Sequence, residues 1–285
     1  MTRIGIVAKP DAPQARAEVQ RLVEWLARRG VSVVVEKEIA DLIPHLEVTT
    51  VRRADLPAQS ELLVVLGGDG TLISVARSVG DLGIPILGVN LGSLGFLTAT
   101  TLDEMLPALE GCLEGRMVIE ERMMLATRVI RNGQGVCDAL ALNDAVIMKS
   151  AMSRIINLAV SVEGQFATAY RADGLIISTP TGSTAYTLSA GGPILLPTMD
   201  AIVLTPICSH TLTNRPIVLP GTSRVEVTVR TSQEVMLSVD GQVGFGLGDQ
   251  DTIEVNRAAS RIRLVRFPQK HFFSVLRAKL KWGER

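Results

Sequence analysis

The stretch LLVVLGGDGT, residues 62–71, joins an apolar run to a turn of glycines that surrounds one acid, Asp69. Five consecutive apolar residues, 62–66, are enough for a short strand that is buried on both faces. The glycines leave the backbone on both sides of Asp69 without side chains, so a large anionic group could approach it closely. The next segment, LISVARS, has the pattern of a helix, and a helix N-terminus favours anions. The stretch therefore predicts a strand, an anion-accepting turn and a helix, with Asp69 beyond the carboxyl end of the strand.

The same letters fit an ordinary strand-to-helix turn in which the aspartate caps the helix, and both interpretations stay open on these residues alone. Motifs that would indicate another kind of nucleotide or catalytic site are missing. No GxGxxG follows the first predicted strand, residues 4–8, and neither a Walker A nor a GxSxG motif occurs. The three cysteines have no CxxC or Cys/His ligand spacing, which argues against a structural zinc site or a disulfide framework.

The pattern of the chain changes after its first third and indicates two domains. Up to residue 98, apolar strands such as VSVVV (31–35) and IPILGV (84–89) alternate with helical segments. This alternation predicts an α/β domain with a Rossmann-like parallel sheet over residues 1–98. From 99 to 267, alternating and β-branched runs separated by Gly, Asn and Pro predict an all-β domain. The tail, residues 268–285, returns to helical spacing and is expected to join the first domain.

The composition limits the expected partners and location. The chain has 285 residues, and its 29 Lys plus Arg balance 29 Asp plus Glu, so the formal net charge is zero. A protein that mainly coats nucleic acid or an anionic membrane usually carries a basic surplus, so neither partner is expected. The N-terminal residues lack a signal-peptide layout, and no apolar stretch approaches the roughly 20 residues that span a bilayer. A soluble, cytoplasmic protein is the expectation.

Further stretches are rich in glycine, hydroxyl or paired polar residues. Each has a plain interpretation as a loop or turn, including the adjacent Asn143 and Asp144. The stretch from 171 to 194 is the hardest to explain in this way, because its many hydroxyls and glycines suit a nucleotide and bury little core. The stretches are GVNLGSLGFL (88–97), ALNDAVI (141–147), RADGLIISTPTGSTAYTLSAGGPI (171–194), CSHTLTNRPIVLP (208–220) and SVDGQ (238–242).

Together with GGDGT, these motifs resemble the NAD kinase family in order and spacing, over most of the chain and least before residue 60. GGDG alone also occurs in related form in diacylglycerol kinases, sphingosine kinases and phosphofructokinases, whereas TPTGSTAY is far more specific. One position departs from the family pattern. Many members have Asn-Glu where this chain has Asn143-Asp144, so the charge is kept on a side chain that is one methylene shorter.

The resemblance implies transfer of the γ-phosphoryl group of ATP, or of a phosphoryl group of polyphosphate, to the 2′-hydroxyl of the adenosine ribose of NAD, giving NADP. It also implies an α/β domain followed by a β-sandwich, a homo-oligomer (dimer or tetramer) built around the sandwich, and a divalent cation, Mg²⁺ or else Mn²⁺. Asp69 would accept the hydroxyl proton. The phosphate loop would comprise Gly67, Gly68, Gly70 and Thr71.

The resemblance also implies a set of NAD contacts, carried over position by position. Asp173 would serve the adenine end, partly from a second subunit. The contacts are Asp69, Gly70, Asn143, Asp144, Arg154, Arg171, Asp173, Thr184, Ala185, Tyr186, Thr187, Leu188, Ser189 and Gln242.

Two other functions stay open on the residues. A lipid or sugar kinase would share the GGDG turn, although TPTGSTAY counts against it, and a substrate panel would distinguish the two. A dinucleotide sensor would keep the NAD contacts but would have no need of Asp69. The presence of Asp69 therefore favours an enzyme.

Overall fold

The computed structural model describes residues 1–9, 11–150, 154–266 and 270–282. The chain forms two compact units. Unit 1 comprises Met1–Glu121 and Arg261–Arg285, and unit 2 comprises Arg122–Ser260. Within the described residues, no helix has the length and apolar character needed to cross a membrane.

Unit 1 is built on a parallel sheet with the strand order β5-β4-β1-β2-β3. All six residues of β4 are buried, as expected for a strand of a parallel sheet that is covered on both faces. The end of a long later strand, β17, adds to β5 through the parallel pair Leu264 and Ile86. The bounds are β1 (Arg3–Ala8), β2 (Ser32–Glu36), β3 (Thr49–Val51), β4 (Leu62–Gly67), β5 (Ile86–Asn90) and β17 (Thr252–Arg266).

The helices of unit 1 bury one face each. Helix α4 begins with a capping box formed by Thr101 and Glu104, and it buries Met105, Leu109 and Cys112 in the core cluster that also holds the sheet residues. The helices are α1 (Ala15–Ala27), α2 (Lys37–Ala40), α3 (Asp69–Val79), α4 (Leu102–Leu113) and α6 (Phe272–Leu280).

The predicted domain limits, 1–98 and 99–267, differ from this division. Unit 1 continues past residue 98 to Glu121, because the apolar face of α4 completes the core of unit 1. The tail, for which the sequence predicts a helix over 268–285, falls in unit 1, with α6 in its middle. Residues 267–269 and 283–285 lie outside the described part of the chain.

Unit 2 consists of two antiparallel sheets that share one core. The strand order is β13-β12-β11-β8-β15-β16 in the first sheet and β10-β9-β14-β17 in the second, in which β6 pairs with β17 and with β7. Ile147 and Leu237 of the first sheet lie in the same buried cluster as Leu158 and Val227 of the second. Buried residues alternate along β14 and β15, as the inner faces of a sandwich require. The expected combination of an α/β region and a β-sandwich is confirmed.

The strands of unit 2 are short except for β6 and β17, and a short helix, α5 (Tyr186–Ser189), lies between β11 and β12. Their bounds are β6 (Val118–Arg131), β7 (Gln134–Ala141), β8 (Asp144–Lys149), β9 (Ile156–Val162), β10 (Gln165–Ala172), β11 (Gly174–Ser178), β12 (Ala201–Ile207), β13 (Ile217–Pro220), β14 (Val225–Val229), β15 (Val235–Val239) and β16 (Val243–Leu247).

Candidate active site

Asp69 is the first residue of α3, directly after β4 and Gly68. Its carboxylate accepts four hydrogen bonds from one loop. Oδ1 accepts the N–H groups of Leu97 and Thr98 and the hydroxyl of Thr98, each at 3.0 Å. Oδ2 accepts the N–H of Phe96 at 2.9 Å. Among the hydrogen bonds of the described residues, Oδ2 accepts the one from Phe96, and a carboxylate oxygen has about two lone-pair positions, so Oδ2 can accept a further hydrogen bond.

The loop that bonds to Asp69 is held by its own polar side chains. Asn90, at the end of β5, donates from Nδ2 to Ser93 O at 2.6 Å and to Thr98 Oγ1 at 3.0 Å. The fully buried hydroxyl of Thr98 therefore accepts from Asn90 and donates to Asp69. A Cβ on Gly95 would lie 2.1 Å from Asp69 Oδ1, so the loop can approach the carboxylate only with glycine there. This network fixes the orientation of Asp69.

The four residues predicted to line the phosphates flank Asp69. Gly67 is the buried end of β4, Gly68 is exposed, and Gly70 and Thr71 lie in the first turn of α3. Among the described residues, no heavy atom lies within 4 Å of the position that a Cβ on Gly68 would take. The turn thus presents bare backbone at the N-terminus of an 11-residue helix, which is a geometry suited to phosphate. The phosphate contacts themselves stay predictions.

In unit 2, Asn143 and Asp144 are bonded to the turn between β15 and β16. The carboxylate of Asp240 accepts the N–H groups of Leu142, Asn143 and Asp144 at 3.0, 2.8 and 3.1 Å. The N–H of Asp240 donates in return to Asp144 O at 2.9 Å. Asp240 and Gly241 have φ of 52° and 65°, as the central residues of a tight hairpin turn do. The polar pair is therefore held in a defined position by a hairpin almost a hundred residues further along the chain.

The TPTG segment is bonded to the same pair. The N–H of Thr179 donates to Asn143 O at 2.8 Å, and its hydroxyl donates to Leu142 O at 2.6 Å. The N–H of Gly182 donates to Thr179 Oγ1 at 3.0 Å. A Cβ on Gly182 would lie 2.1 Å from Asn143 O, so glycine is required for this approach. The motifs ND, TPTG and DGQ thus form one cluster within unit 2.

The predicted contacts 184–189 adjoin this cluster. They follow the TPTG segment directly, on a short 3-10 helix (Gly182–Thr184) and on α5. Tyr186 is 38% exposed, whereas Thr187 is fully buried. Gln242 also adjoins the cluster, since it follows Asp240 in the hairpin turn and donates its N–H to Val239 O at 3.0 Å.

The predicted contacts Arg171 and Asp173 lie at the other end of β11. Asp144 pairs with Ser178, the last residue of β11, whereas Asp173 directly precedes the first residue of that strand. At about 3.3 Å per residue, roughly 16 Å of strand separates the two positions. Asp173 forms an ion pair with Lys149, with Nζ and Oδ1 3.1 Å apart. The structure therefore does not bring Asp173 into the cluster around Asp144.

Arg154, also a predicted NAD contact, follows the undescribed residues 151–153. Its N–H donates to Gln233 Oε1 at 3.2 Å. Three residues that shape the two clusters, Thr98, Thr179 and Asp240, were not among the predicted site residues. Thr179 and Asp240 lie within the glycine- and hydroxyl-rich motifs of the sequence, whereas Thr98 directly follows the motif at 88–97, so only the first two carried a local signal.

Burial raises the pKa of the Asp144 carboxyl to about 7, and the negative charge of Asp240 adds to this effect. Only 5% of Asp144 is exposed, so water solvates its ionised form poorly. At neutral pH the carboxyl therefore exchanges between a neutral form, which can donate a hydrogen bond, and an ionised form, which only accepts.

This raised pKa predicts a pH-dependent stability. Because the folded-state pKa lies above the ordinary value of 3.8, the folded state binds the proton more tightly, and stability is lost as the pH rises from about 4 to about 7. The loss is on the order of 4 kcal/mol. Asparagine cannot ionise, so Asp144→Asn should not show this loss of stability. As the pH rises from 4.5 to 8, the melting temperature of the variant should therefore rise relative to that of the unmodified protein. Thermal unfolding at several pH values measures this, and an unchanged difference would contradict the assignment.

Comparison with known proteins identifies the family of this chain. A family model described as the ATP-NAD kinase N-terminal domain matches residues 4–117, and the ATP-NAD kinase C-terminal domain matches residues 142–267. The NAD kinases of Geotalea daltonii and Geobacter sulfurreducens are each 53% identical to this chain, with 100% of both chains covered.

The chain belongs to the NAD kinase family. The resemblance inferred from the motifs is confirmed, and so is the prediction of a kinase. Among solved structures, a yeast NADH kinase complexed with NADH has a TM-score of 0.93 and 29% identity and covers 100% of this chain and 89% of its own. An NAD kinase from Archaeoglobus fulgidus in complex with ATP has a TM-score of 0.76 and 25% identity, and the match covers 97% of this chain and 99% of the Archaeoglobus chain. Membership of the NAD kinase family counts against the lipid or sugar kinase and the sensor.

Proposed function

We propose that this protein transfers the γ-phosphoryl group of ATP to the 2′-hydroxyl of the adenosine ribose of NAD. A bond forms between the 2′-oxygen and the γ-phosphorus, the bond from the γ-phosphorus to the β,γ-bridging oxygen breaks, and ADP and NADP leave. The 2′-hydroxyl proton passes to the carboxylate of Asp69. The observation that carries the assignment is the open acceptor position on Oδ2, on a carboxylate whose other positions are occupied by Phe96, Leu97 and Thr98.

The cluster around Asp69 and the cluster around Asp144 have different roles in this proposal. In unit 1, the glycine turn offers backbone N–H groups to the phosphates, and Asp69 accepts the proton. In unit 2, the Asn143–Asp144 pair and residues 184–189 contact NAD, with Asp144 accepting a ribose hydroxyl when it is ionised. Arg154, Arg171, Asp173 and Gln242 complete the proposed NAD contacts. Positioning and charge neutralisation suffice for phosphoryl transfer, so no covalent intermediate on the protein is required.

We further propose that a divalent cation, Mg²⁺ or else Mn²⁺, arrives with the nucleotide. When bound, it neutralises charge on the phosphate oxygens. Across residues 1–9, 11–150, 154–266 and 270–282, no group of three His, Cys, Asp or Glu side chains is placed to hold a metal ion. Mg²⁺ at phosphoryl-transfer sites is commonly bound by one or two carboxylates and by substrate phosphates, a mode that needs no such group.

The test is direct. Purified protein is incubated with NAD, ATP and Mg²⁺, and NADP is measured by a dehydrogenase that accepts only NADP. Parallel reactions replace ATP with polyphosphate and NAD with NADH, since either could be used. Production of NADP from NAD supports the proposal, and its absence with every donor would refute it. The cytoplasmic location and the lack of nucleic-acid and membrane partners stay predictions.

We also propose that the protein is a homo-oligomer, a dimer or a tetramer, formed through unit 2. The support is a set of exposed apolar side chains on and near the edge strand β13. Leu212 is 90% exposed, and Val218 and Ile217 are 46% and 39% exposed. Exposed apolar residues beside a free strand edge favour association. The separation of Asp173 from Asp144 along β11 fits a site to which Asp173 is contributed by a second subunit.

Subunit mixing tests this arrangement. Asp69→Asn and Asp173→Ala are each expected to be nearly inactive. After exchange, half of the pairs would be heterodimers with one intact site of two, so about a quarter of the unmodified activity should return at a reciprocal interface.

The matched control mixes Asp69→Asn with the double variant Asp69→Asn/Asp173→Ala, which cannot form an intact site in any pairing. Subunits carrying different tags establish by co-purification that exchange has occurred. If exchange is complete and activity does not return, the site lies within a single chain.

A further inference from the structure

We propose that Asp240 is a positioning residue of the NAD site, which acts on the bound nucleotide through Asn143 and Asp144. The inference rests on the proposed function, in which that pair contacts NAD. Asp240 was not among the residues that the family resemblance assigned to NAD.

The first support is the direction of the Asp240 carboxylate. It points at backbone and accepts three consecutive N–H groups, those of residues 142–144, at 2.8–3.1 Å. These three groups lie where the chain enters β8, so the carboxylate takes the place of a neighbouring strand. The returned bond from Asp240 N–H to Asp144 O, at 2.9 Å, makes the attachment reciprocal.

The second support is that the pair is clamped by a different segment as well. Thr179 bonds to the carbonyl groups of Leu142 and Asn143, at 2.6 and 2.8 Å. Asp240 thus satisfies the N–H groups of this short segment while Thr179 satisfies its carbonyls. Because both sets of groups are bonded, the backbone from which the side chains of Asn143 and Asp144 project is held in one position.

The third support is electrostatic. Burial is the main cause that raises the pKa of the Asp144 carboxyl to about 7, and the negative charge of Asp240 raises it further. The cross-strand neighbour of Asp144 on β11 is the uncharged Ser178, and the following loop presents the uncharged Thr179. The cation Arg122, on β6, reaches this loop at Thr181, to which it donates at 3.2 Å. A ribose hydroxyl would donate to the ionised form of Asp144, so Asp240 both places this acceptor and, together with burial, raises the pH at which it becomes available.

The experiment measures the dissociation constant for NAD, and kcat and KM at saturating ATP, from pH 5.5 to pH 9. The variants are Asp240→Asn, Asp144→Asn and the double variant. Asparagine tolerates the positive φ of position 240 and keeps one acceptor oxygen, so the hairpin turn should persist. Thermal unfolding at each pH checks the fold.

In the unmodified protein, NAD should bind about tenfold more weakly at pH 6 than at pH 8, because only the ionised form of a group with a pKa near 7 accepts the hydroxyl. In Asp240→Asn the loss of charge should move this change to lower pH, so that the ratio between pH 6 and pH 8 falls to a few-fold. Above pH 8, KM for NAD should still be raised, with a smaller change in kcat. Asp144→Asn should bind weakly with no change over this range, and adding Asp240→Asn to it should produce no further shift.

A purely structural Asp240 would lower stability without moving the pH profile, and an unmoved profile in a folded Asp240→Asn would overturn the inference. So would an unmodified protein that is active but binds NAD independently of pH. If Asp240→Asn does not fold, Asp240→Glu keeps the charge, and it should keep the pH change while raising KM. A lost pH change in folded Asp240→Glu would overturn the inference. Failure of the unmodified protein to make NADP refutes the proposed function instead.

Discussion

Replacing Asp69 with asparagine is expected to lower turnover by about 10²–10⁴-fold, because the variant lacks the carboxylate proposed to accept the 2′-hydroxyl proton. The variant should fold, and it should still bind NAD, since most of the proposed NAD contacts lie in unit 2. Steady-state kcat, together with a separate binding measurement, checks both statements. A variant that retains activity within a few-fold of the unmodified protein would remove Asp69 from the mechanism.

The hydrogen bonds of Asp69 require a control for this experiment. An asparagine places an NH₂ group where one carboxylate oxygen accepted an N–H, so the loop at 96–98 loses at least one bond. Thr98→Val provides the matched control, because it removes the hydroxyl bond to Asp69 Oδ1 and leaves the carboxylate in place. We expect Thr98→Val to cost only a few-fold in kcat and Thr98→Ser to restore it. If kcat of Thr98→Val fell as far as kcat of Asp69→Asn, a displaced loop, and not the missing base, would explain the loss of activity.

The sequence predicted the local part of this site well. A continuous apolar run followed by GGDGT specifies a buried strand and a helix start, and the structure places β4 at Leu62–Gly67 and the start of α3 at Asp69. These are properties of adjacent residues. The donors to Asp69 come from positions 27 to 29 residues later, and no pattern in either segment specifies that pairing.

The same distinction explains the cluster in unit 2. The letters Asp240-Gly241 predict a tight turn, and the turn is present with both residues at positive φ. Asp240 also accepts hydrogen bonds from the backbone N–H groups of 142–144. This contact exists only because β8 lies next to β15 in the sheet. Strand order in an antiparallel sheet is decided by tertiary packing, which a local pattern does not contain.

The domain boundary shows how the pattern misled the prediction. The pattern places the end of the alternation of strands and helices at residue 98, after the second glycine-rich stretch. Helix α4 comes just afterwards, and its buried residues Met105, Leu109 and Cys112 pack in the core of unit 1. Periodicity predicts that a helix has an apolar face, but it does not specify which core that face completes.

Removal of divalent cations is expected to abolish the reaction altogether. The triphosphate is strongly anionic, and the turn at 67–71 consists of three glycines, one threonine and the acid Asp69, so it brings no cationic side chain. Lys9 lies at the same end of the sheet, since it follows β1 and its N–H donates to Leu66 O at 3.0 Å. One exposed lysine neutralises only part of the charge that phosphoryl transfer requires to be balanced.

We therefore expect no NADP formation in excess EDTA and full recovery when Mg²⁺ or Mn²⁺ is added beyond the chelator. EDTA already saturated with Mg²⁺ is the control for effects of the chelator itself, and NAD binding, measured without ATP, should not change. Lys9→Ala in the presence of Mg²⁺ should lose only a few-fold in activity, because the proposed cation would carry most of the neutralisation. Full activity in EDTA would mean that the protein itself balances the charge of the phosphates, and Lys9→Ala would then be expected to be the variant that loses it.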